Sequence, residues 1–210
     1  MNERGARPFR TVVLLGSPGC GKTSLAEQWI ADWQKERQGR GQLAILDPAA
    51  QFPHLGGVWP GRTDPNDDRS PEERAEQWLK ALKRSRVGKD DAPPCLVVLD
   101  DADTYLSGGQ PRGVWRDFFM TFRHWRCDVI AIARRPQELP KALFQNASTC
   151  ACFLSTEPYS AEYLRAWIGP ANTRQIPTVE FSAWVVDVRS KEGHLLKTKQ
   201  RAIMTAADRA

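Results

Sequence analysis

Eight residues, Gly16-Ser17-Pro18-Gly19-Cys20-Gly21-Lys22-Thr23, constrain this chain more than anything else in it. They fit G-x-x-x-x-G-K-S/T. The apolar stretch 11–15 leads into them, and Leu25, Ala26, Trp29, Ile30 and Trp33 recur at helical spacing over residues 22–38 behind them. A strand, a glycine-rich turn and a helix in that order are what a phosphate cradle requires. The glycines let the backbone wrap so that successive N–H groups point at one anion, and the helix N-terminus adds the positive end of its dipole. Lys22 is then placed to reach the β- and γ-phosphates of a nucleoside triphosphate. Thr23 offers its hydroxyl to Mg²⁺, and the nucleotide-binding residues run from Gly16 through Ser24.

The rest of the chain alternates short apolar runs with amphipathic stretches, as a mainly parallel sheet covered by helices does. Residues 42–46 read as a second strand, stopped by Asp47-Pro48, and 51–70 as a long surface loop rich in Gly, Pro and Asp. Ser70, Pro71, Glu72 and Glu73 make a strong helix start, with Ala75, Trp78, Leu79 and Leu82 as the buried stripe behind it. The continuous apolar run 95–99 fits a strand buried on both faces. Trp115, Phe118, Phe119 and Phe122 mark a helix, 128–133 a strand, 139–146 a short helix, 151–154 a fifth strand and 160–168 another helix. Residues 181–189 and 195–199, joined by the polar turn 190–193, read as a β-hairpin. No repeat or domain break interrupts this pattern. The expectation is one domain over 1–210, with its core at about 9–170 and the hairpin at about 180–200.

Composition excludes more than it identifies. No run of about 18 apolar residues exists, and no apolar segment follows the polar N-terminus, so neither a membrane span nor a secretory signal is expected. The five cysteines lack metal-ligand spacing and read as reduced, mostly buried thiols of a cytoplasmic protein. Thirty Lys and Arg against 25 Asp and Glu give a formal charge of +5. The basic residues gather at Lys80, Lys83, Arg84, Arg86 and Lys89, at Arg123, Arg126, Arg134 and Arg135, and at Arg189, Lys191, Lys197, Lys199 and Arg201. Trp29, Trp33, Trp78 and Trp115 sit on apolar helix faces and read as core. His54, His124 and His194 read as structural or surface residues.

Two further constellations carry chemistry. Leu96-Val97-Val98-Leu99-Asp100-Asp101 is an apolar strand ending in two carboxylates, about 75 residues after the glycine-rich turn, where a Walker B element belongs. Asp100 is the Mg²⁺ acid on this reading, and Asp101 polarises the attacking water, with Asp103 close enough to compete for that role. No N-K-x-D motif for guanine is present, which favours ATP as the substrate. The strand 128–133 ends in Arg134-Arg135-Pro136, aiming guanidinium groups off its C-terminal end, where an α/β sheet places its ligand. Surface ion pairs are the other use for these arginines.

With these motifs in place the chain resembles the FtsK–HerA superfamily of DNA-translocating ATPases. The resemblance rests on the P-loop, "ILDP" at 45–48, "VVLDD" at 97–101, "RHWRCDVIAIARRPQELP" at 123–140 and the "NA" before the fifth strand. In form it is most similar to the genome-packaging ATPases of tailless icosahedral viruses with an internal membrane. The resemblance implies an α/β P-loop NTPase fold of RecA/ASCE-like, three-layer type with sheet order 5-1-4-3-2. It also implies a homo-oligomeric ring, typically a hexamer, around double-stranded DNA read without sequence preference. A capsid vertex or membrane-associated viral proteins would be further partners, and the host cytoplasm or a virion packaging vertex the place of action. Arg134 takes the strand-end polar position that is often Gln in the family, and Asp101 stands where the family usually has Glu. Arg123 matches the arginine offered to the neighbouring subunit's ATP, with Arg126 one turn away as the alternative. Lys197, Lys199 and Arg201 are DNA-contact candidates, the other reading of that segment being a solvated rim. Two rival functions stand beside the motor: a small-molecule or nucleoside kinase, and an assembly protein switched by ATP.

Overall fold

The structure is a computed structural model that describes residues 10–89, 91–106, 111–155 and 157–198. Its strands form where the sequence is continuously apolar. β1 (Thr11–Leu15), β2 (Gln42–Leu46), β3 (Cys95–Leu99), β4 (Cys127–Ala133) and β5 (Thr149–Phe153) run parallel, in the order β2-β3-β4-β1-β5. This is the expected 5-1-4-3-2 arrangement. The expected hairpin, β6 (Ser182–Asp187) and β7 (Gly193–Lys197), continues the same sheet, with β6 antiparallel to β5 and β7 antiparallel to β6. Every residue of β3 and β4 is buried, as central strands covered on both faces must be.

Alternation along the strands sorts the core into two layers. Leu14, Ile45, Val98, Ile130 and Phe153 face α1 (Lys22–Glu36), which contributes Leu25, Ile30 and Trp33. Val13, Leu15, Val97, Leu99 and Ala131 face the other way. That side is covered by α2 (Pro71–Arg86), α3 (Gly113–Thr121), α4 (Lys141–Asn146) and α5 (Pro158–Ile168) through Leu79, Phe118, Leu143, Phe144 and Leu164. A short helix α6 (Pro170–Thr173), not anticipated, follows α5. Trp33 and Trp115 are buried, and Trp29 and Trp78 pack half-buried against the core.

α2 starts as its sequence requires. The Ser70 hydroxyl accepts from the Glu73 N–H at 3.2 Å, while the Glu73 carboxylate accepts from the Ser70 N–H at 2.8 Å. Residues 51–70 are less loose than a surface loop. Phe52 is fully buried, Pro53–Leu55 form a helical turn, and Val58 bridges to Leu46.

The basic cluster around α2 needs correction. Arg86 is not a surface charge but is buried. Its guanidinium donates to the carbonyl of Trp125 (2.8 Å), the carbonyl of Pro93 and Gln42 Oε1 (2.9 Å). Lys83 is paired with Asp117 and Lys80 with Glu76. Arg86→Ala therefore strands buried acceptors and is expected to destabilise the fold by roughly 2–4 kcal/mol. Lys80→Ala, which breaks only an exposed pair, is expected to change stability by less than about 0.5 kcal/mol. Urea midpoints of the two variants check this directly.

Candidate active site

β1 lies between β4 and β5, with Leu15 opposite both Ala133 and Cys152, so the turn after β1 sits at the C-terminal ends of three strands at once. The Gly16 N–H donates to the Ala133 carbonyl (3.3 Å) and the Ser17 N–H to the Leu154 carbonyl (2.8 Å), tying the turn to both neighbours. Two glycines here are required. Gly16 has φ +150°, and a Cβ on it would lie 2.7 Å from Phe153 Cβ. Gly21, the N-cap of α1, has φ +107°, and a Cβ there would meet Thr198 Oγ1 at 2.6 Å. Lys22 is buried, and its ammonium donates to the carbonyls of Gly16 (2.7 Å) and Ser17 (2.8 Å). The loop's own oxygens thus hold the charge where phosphate oxygens would compete for it.

Beside the loop is a cavity of about 200 Å³ that gathers Lys22, Thr23, Asp100, Asp101 and Arg134. It also includes Gln51, which sequence reasoning did not single out. Gln51 is placed by Asp47, whose two carboxylate oxygens accept from the N–H groups of Gln51 (2.7 Å) and Phe52 (2.9 Å). Asp47 is the acid of the "ILDP" segment, so that motif builds one wall of the cavity.

Asp100 is 2% exposed, and its Oδ2 has no hydrogen-bond partner among the described residues. Burial, then the charges of Asp101 and Asp47, push its carboxyl up to about 7, against the pull of the Asp101 N–H and Lys22. Among the described residues no cluster of three or more His, Cys, Asp or Glu forms a self-contained metal cage. An unpartnered buried carboxylate oxygen near a threonine hydroxyl, beside a phosphate cradle, is instead the partial shell that Mg²⁺ accepts when phosphates and water complete it. The residues fit that ion.

The four other charged groups divide clearly. Asp101 lines the cavity in a left-handed conformation (φ 42°, ψ 46°), with Arg134 Nε 4.0 Å from its Oδ1. Asp103 is buried beneath Arg134. Its Oδ2 accepts from the Arg134 N–H (3.3 Å) and faces Arg134 Nε at 3.6 Å, and burial raises its carboxyl. The cavity is therefore lined by Asp101 and not by Asp103. Arg135 turns away into ion pairs with Glu157 (2.6 Å) and Glu138 (2.9 Å), so one arginine of the pair faces the site and the other the surface.

Arg123 lies elsewhere. It is exposed in the turn between α3 and β4, over the Phe122 ring, at the end of β4 opposite the cavity. The seven residues of β4 separate it from its own P-loop by about 20 Å. Arg126 sits in the same turn and shares that end of the sheet. Lys197 is exposed on the edge strand β7, close to the P-loop end of the sheet. Lys199 and Arg201 lie outside the described residues.

A phosphate loop between a parallel strand and a helix, faced by a buried acid at the end of β3, defines a P-loop nucleoside triphosphatase. The chain belongs to the ATPase family associated with various cellular activities (AAA), which matches residues 12–151, two thirds of its length. It is an ATPase of that family. Comparison with curated protein sequences finds no match. Among solved structures it is similar to the genome packaging NTPase B204 from Sulfolobus turreted icosahedral virus 2 in complex with ATP-gammaS. That match has a TM-score of 0.69 at 16% identity over 90% of this chain and 98% of that one. B204, the DNA-packaging ATPase from Sulfolobus turreted icosahedral virus, gives 0.67 at 15% identity, covering 90% and 97%. The N-terminal domain of zonular occludens toxin from Neisseria meningitidis gives 0.53 at 13%, covering 92% and 95%. At these identities the likeness is one of fold.

The raised Asp100 predicts a pH signature. A carboxyl whose folded pKa exceeds its unfolded value stabilises the fold at low pH, and that stability is lost as pH rises from about 3.8 to about 7. Asp100→Asn, free of this loss, should melt higher than wild type in EDTA without nucleotide. The gap should open between pH 4 and 7 and level off above, reaching on the order of 2 kcal/mol. Mg²⁺ with ATP should reverse the order by stabilising wild type alone.

Proposed function

We propose that this ATPase is a motor that translocates double-stranded DNA and packages a viral genome into a preformed capsid. The observation that carries the reading is the match to viral packaging NTPases over nearly the whole of both chains. The arrangement of charged groups supports it. Lys22 would neutralise charge developing on the β- and γ-phosphates, and Thr23 and Asp100 would hold Mg²⁺. When bound, that ion withdraws electron density from the phosphate oxygens. Asp101, in the cavity, would orient the attacking water and accept its proton, while Arg134, fixed from beneath by Asp103, would face the γ-phosphate.

Arg123, about 20 Å from its own cavity, is of use to hydrolysis only in a neighbour. That favours a homo-oligomeric ring, a hexamer in our reading, around the duplex. Lys197, Lys199 and Arg201 would contact DNA phosphates. No described helix is long and apolar enough to cross a membrane. We place the motor in the host cytoplasm or at a virion packaging vertex, with capsid or membrane-associated viral proteins as its docking partners.

ATP turnover should rise on adding double-stranded DNA of any sequence, and the stimulation should fade steeply between low and physiological salt, because neutralising phosphates releases counterions. Changing Lys197, Lys199 and Arg201 together to Ala should make the logarithmic salt slope shallower by about 0.9 for each phosphate that is no longer neutralised. Turnover indifferent to DNA, together with transfer of phosphate to a nucleoside, would replace the motor with a kinase.

A further inference from the structure

The cavity beside the P-loop, about 200 Å³ and lined largely by polar and charged groups, suits phosphates and a cation. Whole small ligands occupy roughly 300–1,000 Å³ of mostly apolar pocket. The nucleoside of ATP therefore lies outside it, and the topology gives the direction. The γ-phosphate end is marked by Asp100 after β3 and Arg134 after β4, and both strands lie on one side of β1. The N-terminus of α1, at Gly21, takes the inner phosphates. Ribose and base then leave the loop on the other side of β1, over β5, β6 and β7.

What stands there is the base of the C-terminal hairpin. Phe181, just before β6, is held at φ +55°, an uncommon conformation for a bulky residue, and its N–H donates to the P-loop carbonyl of Cys20 at 2.9 Å. Its ring carbon Cδ1 lies 3.2 Å from the point a Cβ on Gly21 would occupy. Thr198, just after β7, donates its N–H to the Phe181 carbonyl at 2.8 Å and brings its hydroxyl to 2.6 Å from that same point. That hydroxyl oxygen is buried and has no hydrogen-bond partner among the described residues. A strained aromatic residue and an unpaired buried hydroxyl thus converge on the glycine that caps α1. Strain and unpaired polar atoms kept together in this way are characteristic of ligand sites.

We propose that Phe181 and Thr198 form the nucleoside subsite of this ATPase. The Phe181 ring packs on the face of the base, and the Thr198 hydroxyl hydrogen-bonds the ribose or the base edge. The inference rests on the ATPase assignment and not on the DNA reading.

Inorganic tripolyphosphate separates the roles, because it shares the phosphates of ATP and lacks the nucleoside. Wild-type binding of Mg²⁺-ATP and Mg²⁺-tripolyphosphate, measured by calorimetry, reports on the P-loop itself. Phe181→Ala is expected to weaken ATP about 5- to 150-fold, the range for losing one base–aromatic stack. It should leave tripolyphosphate within about two-fold of wild type, while Phe181→Trp restores ATP binding. Thr198→Val, which keeps the shape and removes the hydroxyl, should weaken ATP by about 3- to 10-fold with the same indifference to tripolyphosphate. If both ligands weaken together in the folded Thr198→Val and Phe181→Trp proteins, these residues support the loop and the subsite is overturned. Unchanged ATP binding in Phe181→Ala and Thr198→Val overturns it as well.

Discussion

Everything at the site depends on β1 being clamped in register between β4 and β5. That clamp brings Leu15, Ala133 and Cys152 level, so the chain leaving β1 turns at a height where β4 delivers Arg134 and β5 delivers Leu154. The carbonyls of Ala133 and Leu154 accept the first two N–H groups of the turn, which ties the loop to both neighbouring strands. A one-residue slip of β1 would invert its side chains and lift the phosphate loop away from Asp100. The apolar alternation of the central strands is therefore part of the catalytic geometry as well as of the core.

Around that clamp the charges are arranged against the stability of the empty protein. The charges of Asp101 and Asp47 crowd Asp100, which is buried with an oxygen unpartnered among the described residues. Asp101 adds a left-handed backbone. Lys22 is held by two carbonyls of its own loop, and Arg134 leans on Asp101 and Asp103. A triphosphate with a divalent cation would offer these same atoms charged partners. Perturbed carboxyls and strained backbone gather at sites where a ligand completes the balance.

The parts of this arrangement that sequence shows are those decided by local chemistry. The runs at 11–15, 42–46 and 95–99 match strands to the residue, and Ser70-Pro71-Glu72-Glu73 caps α2 as its side chains dictate. Lys22, Thr23, Asp100 and Asp101 share one cavity because motif spacing reflects strand ends. What sequence hides is long-range. Arg86 looks like one more surface charge until Gln42, Pro93 and Trp125 converge on it from three other segments. Arg134 and Arg135 are adjacent and alike, and only Asp103 and Glu157, brought in by folding, send them in opposite directions. Gln51 has no motif of its own, and Thr198 meets Gly21 across most of the chain.

The sheet that builds the phosphate site also holds Arg123 at its opposite end, so any part Arg123 takes in hydrolysis must be taken across an interface between subunits. The direct measurement mixes two inactive variants, Arg123→Ala and Lys22→Ala, under conditions where energy transfer between labelled subunits shows free exchange. Arg123→Ala alone should bind ATP normally and hydrolyse it on the order of 10³-fold more slowly. The mixture should regain activity, because some interfaces then pair an intact Lys22 with an intact Arg123. Exchange without any recovery, for Arg123→Ala and for Arg126→Ala alike, would mean that no arginine of this turn acts across an interface, and would contradict the ring motor.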